Sequence, residues 1–511
     1  METAKTEDEA AENIVIFPFM AQGHIIPFLA LALHIEKTAK RNNKSFTINF
    51  VSTPLNIRSL RSSLPPSSSI RLLEIPFSAS DADSRLPPGA ENTDVLPYHL
   101  IIHLLEASTS LRPAFRALLL GLIAELGGRK PLCVIADIFF GWTADVAREL
   151  GVFHAVFSGA SGYGLACYYS AWINLPHRNR GGPVDDEFEL PDFPETSKFH
   201  LSQLPLSILE ADGTDPWSLF QAKNLPVWVN SNGILFNTVE EFDNIGFRYF
   251  VKKLERPVWA VGPILLPKES RSSVSTQPGP NSELCAEWLN SKPAQSVLYI
   301  SFGSQNTISA SQMMQLATAL DASGRDFIWV VRPPLGCDVN SEFETEKWLP
   351  EGFERRMEES RKGLLVRKWA PQVEILSHEA VSAFLTHCGW NSVLEGLSRG
   401  LPLLGWPMAA EQFFNARLLE AEVGVCVEVA RGKASEIRWE DVRDKIEAVM
   451  GDTEKGQEMR RRASEVRSMI ESAMKVEGGC TGPSLTALDE FFKVAATSRE
   501  KTEDGRNGVL I

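Results

Sequence analysis

Side chains able to bind a ligand or move a proton crowd into one stretch of the chain, Trp369 to Gln412, WAPQVEILSHEAVSAFLTHCGWNSVLEGLSRGLPLLGWPMAAEQ. Val381 to Thr386 is a short, largely apolar run of the kind that forms a buried parallel strand. Cys388-Gly389 supplies a tight turn, and from Trp390 the spacing of Val393, Leu394 and Leu397 is helical. Asn391 and Ser392 therefore fall at a helix N-terminus, where free backbone N–H groups and the helix dipole favour an anion. His387, at the strand's carboxyl end, is placed to donate to the same anion, and ligands of open α/β sheets bind at that end of the strands. Glu395, one turn into the helix, can accept from two neighbouring hydroxyls. Trp369, Ala370 and Gln372 belong to a constrained Ala-Pro-Gln loop beyond the strand-like GLLVRK. A flat indole there can stack on a planar ring while Gln372 pairs with its edge. Glu411 and Gln412 follow the strand-like PLLGWPM and suit a polyhydroxyl group. Singly, each residue has a plainer reading, since a tryptophan is usually core and an Asn-Ser pair is usually a helix cap. Together they describe one site for a ring, an anion and a polyol held side by side. Leu385, Leu394, Leu397 and Leu403 read as core.

A second pair lies nearer the N-terminus. His24, in MAQGHIIP, comes directly after the first strand and before the first expected helix, which puts its imidazole at the mouth of a cleft. Taken alone, such a histidine is more often a helix cap. Asp137 follows the buried run PLCVIA, and an acid at the end of an apolar strand needs a partner because an unpaired buried carboxylate is costly. Its plainer reading is a helix N-cap.

The elements that must position these residues follow an α/β rhythm. From Asn13, short apolar runs alternate with amphipathic segments: NIVIFPF, a helix from about Pro27, SFTINFVST, IRLLEIP, PLCVIADIFF, HAVFSGAS and GILFNTV. This βαβ pattern implies a parallel sheet covered by helices on both faces. Segments 178–200 and 204–217 are rich in Pro, Asp and Gly and read as a long surface excursion. Residues 266–281 (LPKESRSSVSTQPGPN) read as a linker, after which the rhythm restarts with SVLYISFGS, a helix from about Ser309, DFIWVVR and GLLVRKW. The expected organisation is a disordered segment 1–12, an N-terminal domain 13–265, the linker, a C-terminal domain 282–480, a helix 481–496 and a disordered tail 497–511.

With 511 residues the chain exceeds one hydrophobic core, so two domains are expected. A net charge of −14 and a pI near 5.3 argue against a nucleic-acid partner, since nothing steers a polyanion to this surface. Seven cysteines without CxxC or metal-finger spacing suggest reduced thiols and a reducing compartment. The start, METAKTEDEAAE, is acidic and polar, unlike a secretory signal. The most apolar stretch, Ala114 to Leu126, is interrupted by Arg116 and Glu125, short of the ~20 apolar residues of a membrane span. A cytoplasmic location without an integral membrane segment is the expectation.

The Trp369–Gln412 stretch resembles the donor-binding box of plant secondary-product glycosyltransferases, the plant-type UDP-dependent family 1 enzymes, without insertion or gap. The resemblance covers nearly the whole chain: strongly in the box, well in SFGS, by landmarks in the first half. It implies the GT-B architecture, two Rossmann-like domains with parallel sheets facing an interdomain cleft, with the C-terminal helix crossing back to brace the first domain. It implies a UDP-sugar site formed by Ser304, Trp369, Ala370, Gln372, His387, Gly389, Trp390, Asn391, Ser392, Glu395, Glu411 and Gln412. A final Gln, as here, accompanies glucose donors in that family, and Trp390 stands where an Arg points toward a pentose. His24 would be the catalytic base and Asp137 its partner. The reaction would be an inverting, metal-independent hexosyl transfer from UDP-glucose, a co-substrate and not a cofactor. The acceptor would be a hydroxyl or carboxyl of a small hydrophobic plant metabolite: a flavonoid, other phenolic, terpenoid or hormone. A monomer is expected. The region after Asp137 departs from the family, which often carries a Trp-Thr pair there; VFSGAS leaves Ser158 as the substitute.

Three rival readings match parts of the sequence. Asp81-Ala82-Asp83 matches the Asp-x-Asp of metal-dependent glycosyltransferases, but it lies in a Ser/Pro/Gly-rich loop away from a convincing strand. A non-catalytic nucleotide-sugar sensor would have lost His24 or Asp137, and both are present. A nucleotide-binding dehydrogenase would carry GxGxxG after the first strand, where this chain has AQGHIIP. The acceptor is expected on loops 77–99 and 178–217, with Phe77, Leu86, Tyr98, Phe188 and Trp217 offering apolar surface.

Overall fold

The computed structural model describes residues 11–41, 44–178, 186–267, 280–338, 341–433, 435–477 and 480–507. Short runs of buried aliphatic residues build two all-parallel sheets. In the first, β1 (Glu12–Phe17), β2 (Phe46–Ser52), β3 (Arg71–Glu74), β4 (Cys133–Asp137), β5 (His154–Ser158), β8 (Gly233–Phe236) and β9 (Val258–Ala260) line up in the order β3-β2-β1-β4-β5-β8-β9. β6 (Glu187–Phe188) and β7 (Phe199–His200) form a separate two-residue ladder. The second sheet contains β10 (Val297–Ser301), β11 (Asp326–Val331), β12 (Gly363–Arg367), β13 (Val381–Thr386), β14 (Leu403–Gly405) and β15 (Cys426–Glu428), ordered β12-β11-β10-β13-β14-β15. β16 (Val476–Glu477) and β17 (Cys480–Thr481) close a short antiparallel hairpin.

Side chains of a strand point alternately to the two faces, and both faces here are covered. On β1, Ile14 and Ile16 pack with Phe28 and Leu31 of helix α1 (Gln22–Arg41), whereas Val15 and Phe17 meet Phe115 and Phe140 on the other side. The last helix, α6 (Pro483–Asn507), returns to the first sheet: Phe491 packs edge-on to Trp259 at 5.2 Å, and Arg499 pairs with Glu12 at 2.6 Å. A further apolar cluster runs through both halves. It joins helices α2 (Gly162–Asn174) and α3 (Glu240–Leu254) to helix α4 (Trp390–Leu397) and to Phe414 of helix α5 (Gln412–Arg417).

The bounds differ from the sequence expectation in five places. α1 begins at Gln22, not Pro27, so His24 lies in its first turn and not in a preceding loop. Glu12 is not part of a disordered end: it is a strand residue paired with Phe46, and its carboxylate takes both Arg129 and Arg499. α6 runs to Asn507 instead of ending at 496. Of the expected surface excursion, residues 179–185 lie outside the described set, but Phe188, Leu190, Phe193 and Phe199 are core. Burial of those aromatics outweighs the turn-rich composition around them. Most of the expected linker, 268–279, lies outside the described residues, as do the expected disordered residues 1–10 and 508–511. Asn281 already belongs to a helix, Pro280–Asn290.

Candidate active site

The carboxyl end of β4 and the first turn of α1 meet at one point. His24 Nδ1 and Asp137 Oδ2 are 2.9 Å apart, with Asp137 fully buried and the His24 side chain 29% exposed. The second carboxylate oxygen accepts from the Phe139 N–H at 3.1 Å, which fixes the group's orientation. Phe19 and Phe139 flank the imidazole, with ring centroids at 5.7 and 5.2 Å. With Nδ1 committed to Asp137, Nε2 is the nitrogen left for a ligand. Burial pulls the His24 pKa down, but the Asp137 charge and hydrogen bond, helped by Glu411 from the other domain, outweigh it and hold the pKa above its ordinary value.

The opposing wall is the strand–turn–helix of the 369–412 stretch, and its ends fall on β13 and α4. Cys388 makes the reversal at φ +62°, an unusual conformation for a residue with a side chain. Gly389 takes an ordinary φ, and its lack of Cβ serves space: a Cβ there would sit 2.3 Å from His387 Nε2. On its other side, a Cβ on Gly303 would sit 2.7 Å from His387 Cε1, so two glycines cradle the ring. His387 is buried, with Nδ1 lacking a partner. Burial, with Lys433 and Arg332 nearby, lowers its pKa to about 4, so it is neutral near pH 7.

The other box residues divide between the cleft and its scaffold. Trp369 lies in the loop after β12 with 44% of its surface exposed, free to stack on a ring, and the next residue, Ala370, is buried. Gln372 Nε2 donates to Ser392 Oγ at 3.1 Å and to Glu395 Oε2 at 2.8 Å, which gathers three polar residues into one network. Asn391 Nδ2 reaches across to the Gly23 carbonyl at 3.2 Å, beside His24. Gln412 Oε1 accepts from the Met408 and Ala409 N–H groups at 3.1 and 3.0 Å, leaving its NH2 for a ligand. Burial raises the Glu411 carboxyl, while nearby His24 opposes that rise.

Trp390 is placed differently from a ligand contact. Its indole is 2% exposed, donates to the Asn237 carbonyl of the first domain at 3.0 Å, and packs 6.3 Å from Phe242. It ties the domains together, because a buried indole N–H needs an acceptor. Ser158 is also enclosed, its Oγ accepting from the Ala160 N–H. Ser304 is exposed beyond β10, and Arg332 binds its carbonyl. Leu86 and Phe188, expected on acceptor loops, are core residues, whereas Tyr98 is exposed and Trp217 stacks on Trp172 at 6.4 Å.

Sequence reasoning missed Asn415, fully buried, whose Nδ2 donates to the Cys388 carbonyl at 3.0 Å and to Glu411 Oε1 at 3.3 Å. Ser161 of the first domain donates to its Oδ1 at 2.7 Å. The signal was available, since Asn415 stands one helical turn beyond Glu411. Gln305, bonded to Thr93 and to Asp94 Oδ1 (2.9 Å), is a second cross-domain contact that no motif announced. Among the described residues, one His/carboxylate group, Asp83, His103 and Glu106, has metal-like spacing. Arg85 fills it instead, donating to both Asp83 oxygens at 2.8 and 2.6 Å and to Glu106 at 3.4 Å.

Known proteins resemble this chain along most of its length. Residues 254–464 match the family profile described as UDP-glucoronosyl and UDP-glucosyl transferase. UDP-glycosyltransferase 92A1 of Arabidopsis thaliana is 51% identical over 490 residues, spanning 95% of this chain and 98% of that protein. Crocetin glucosyltransferase 3 of Crocus sativus is 40% identical, spanning 88% and 92%. Among solved structures, Glycyrrhiza uralensis UGT73P12 complexed with glycyrrhetinic acid 3-O-monoglucuronide superposes with a TM-score of 0.80 at 28% identity, covering 97% of this chain and 98% of that one. A transferase from Siraitia grosvenorii in complex with UDP gives 0.75 at 27% identity, covering 95% and 99%.

Proposed function

The chain belongs to the UDP-glucoronosyl and UDP-glucosyl transferase family, as a plant-type UDP-glycosyltransferase of GT-B fold, and we propose that it is an inverting O-glucosyltransferase in which His24 is the base. The observation that carries this reading is the His24–Asp137 pair, set one residue from the Gly23 carbonyl that Asn391 of α4 contacts. An acceptor hydroxyl gives its proton to His24 Nε2 as its oxygen attacks the anomeric carbon. The bond from that carbon to the diphosphate breaks, and UDP leaves. Asp137 holds the tautomer and stabilises the imidazolium. Attack opposite the leaving group turns an α-linked donor into a β-glycoside.

UDP occupies the second domain. Trp369, next to Ala370, stacks on the uracil, while Gln372 and Glu395 take the base edge and ribose. His387, Asn391, Ser392, Ser304 and the N-terminus of α4 beside Gly389 receive the phosphates, where aligned N–H groups offset the charge of the leaving group. Trp390 supports this wall from behind. Glu411 and Gln412 bind the glucose hydroxyls. This route needs no metal and predicts full turnover in excess EDTA.

The acceptor is a small hydrophobic plant metabolite with a hydroxyl or carboxyl group, received against the partly exposed Phe139 beside His24. Phe139 is backed by buried Phe220 at 6.4 Å, which steadies an apolar ring suited to a flat phenolic, terpenoid or hormone. The relative named as a crocetin glucosyltransferase supports a small-molecule acceptor. The test is incubation of the pure protein with UDP-glucose and a panel of phenolic, terpenoid and carboxylic acceptors, read by mass spectrometry with and without EDTA. A product one hexose heavier in both conditions is expected. Loss of product in EDTA, or no product from any acceptor class, would overturn the reading.

A further inference from the structure

Helix α1 carries a proline in its interior. Pro27 lies in the second turn of Gln22–Arg41. It lacks the N–H that would bond back to the Gly23 carbonyl, and its ring crowds that same carbonyl. The oxygen is instead taken from across the cleft, where Asn391 Nδ2 donates to it at 3.2 Å. Two further features favour this contact. Apart from its chain neighbours and the helix's own backbone, no atom lies within 4 Å of the Cβ position of Gly23, which leaves room on that side of the turn. The Pro27 ring is braced by the segment after β5, where a Cβ on Gly159 would come within 3.2 Å of Pro27 Cγ.

Gly23 immediately precedes His24, and Asn391 stands in the first turn of α4. One hydrogen bond thus joins the turn that carries the imidazole to the turn whose backbone N–H groups open on the cleft. We propose that Pro27 is a positioning residue that keeps the Gly23 carbonyl open for Asn391 and so sets the register between the base-bearing helix and the donor-bearing helix. This deepens the transferase reading and rests on it. An ordinary residue at 27 would offer its own N–H to the Gly23 carbonyl and close the helix on itself, in competition with Asn391.

The test is a double-mutant cycle of Pro27→Ala, Asn391→Ala and the pair, read as UDP release and thermal melting of the full chain. Pro27→Ala is expected to lower kcat by about tenfold, the scale of one neutral hydrogen bond, with the UDP-glucose KM changed less than about twofold. Its melting temperature should be no lower than that of the parent, because alanine is the better helix former. In the Asn391→Ala background the same change should be nearly silent, less than about twofold. An equal loss in both backgrounds, or unchanged kcat in Pro27→Ala, overturns the proposal. Amide exchange of the ligand-free protein keeps the two readings apart. The peptide covering 387–397, which loses its tie to Gly23, should exchange faster in both single variants, whether or not the parent transfers glucose; unchanged exchange of that peptide in Pro27→Ala overturns the inference alone. No UDP release by the parent with any acceptor would overturn the transferase reading alone.

Discussion

At the residue scale, the account turns on a histidine that must be neutral to accept a proton and yet is held toward its charged form. Burial and Asp137 act on His24 in opposite directions, and the carboxylate wins. The base is therefore half-titrated above the ordinary histidine value of about 6.5. kcat/KM should rise with pH through an apparent pKa above that value. In Asp137→Asn the raising charge is gone while burial persists, so the midpoint should move down as kcat falls by about 10³-fold. A pH–rate profile of both proteins checks the sign; an unmoved midpoint would detach Asp137 from the titration. Gln412 offers a second residue-scale prediction. Its Oε1 accepts from two backbone N–H groups, and a histidine would have to give up at least one. Gln412→His should reduce glucose transfer by about tenfold and admit galactose, checked by donor competition. An unchanged donor profile would show that this side chain does not meet the sugar.

At the scale of elements, a single indole joins the domains. Trp390→Phe keeps an aromatic ring but loses the pyrrole half of the indole and strands the buried Asn237 carbonyl, and should lower stability to urea by about 1–3 kcal/mol. Chemical unfolding checks this. The strand Val381–Thr386 and the helix from Trp390 were legible because an apolar run ends at a Cys-Gly turn and apolar spacing changes from continuous to helical there. The start of α1 was not, because Pro27 resembles a first-turn proline while the helix tolerates it in the second turn, with Asn391 engaging the carbonyl it cannot reach. The turn-rich composition of 186–200 concealed Phe188, Phe193 and Phe199, whose burial depends on α2, α3 and Phe414, distant in sequence. Likewise, nothing local marks Trp390 as a bridge, since its acceptor lies in the other domain.

At the scale of the whole molecule, two parallel sheets, each with helices on both faces, place their strands' carboxyl ends at a shared cleft. Cross-domain hydrogen bonds from Gln305, Asn391, Trp390 and Ser161 hold its walls together. α6 fastens the chain's end to its beginning through Phe491, which packs against Trp259 and Phe153, and through Arg499 on Glu12. Phe491→Ala should cost about 3–5 kcal/mol of stability, seen as a lowered melting temperature, while UDP affinity of the folded protein changes little. A matching loss of UDP affinity would mean that α6 acts on the second domain as well. Among the described residues no helix is long and apolar enough to cross a membrane. The most direct test of the central claim compares the parent with His24→Ala in two measurements: calorimetric binding of UDP-glucose and the rate of UDP release with an active acceptor. The account predicts binding within about threefold and release slower by about 10³-fold, because the base acts only as the proton leaves. Unchanged release in the variant would contradict it.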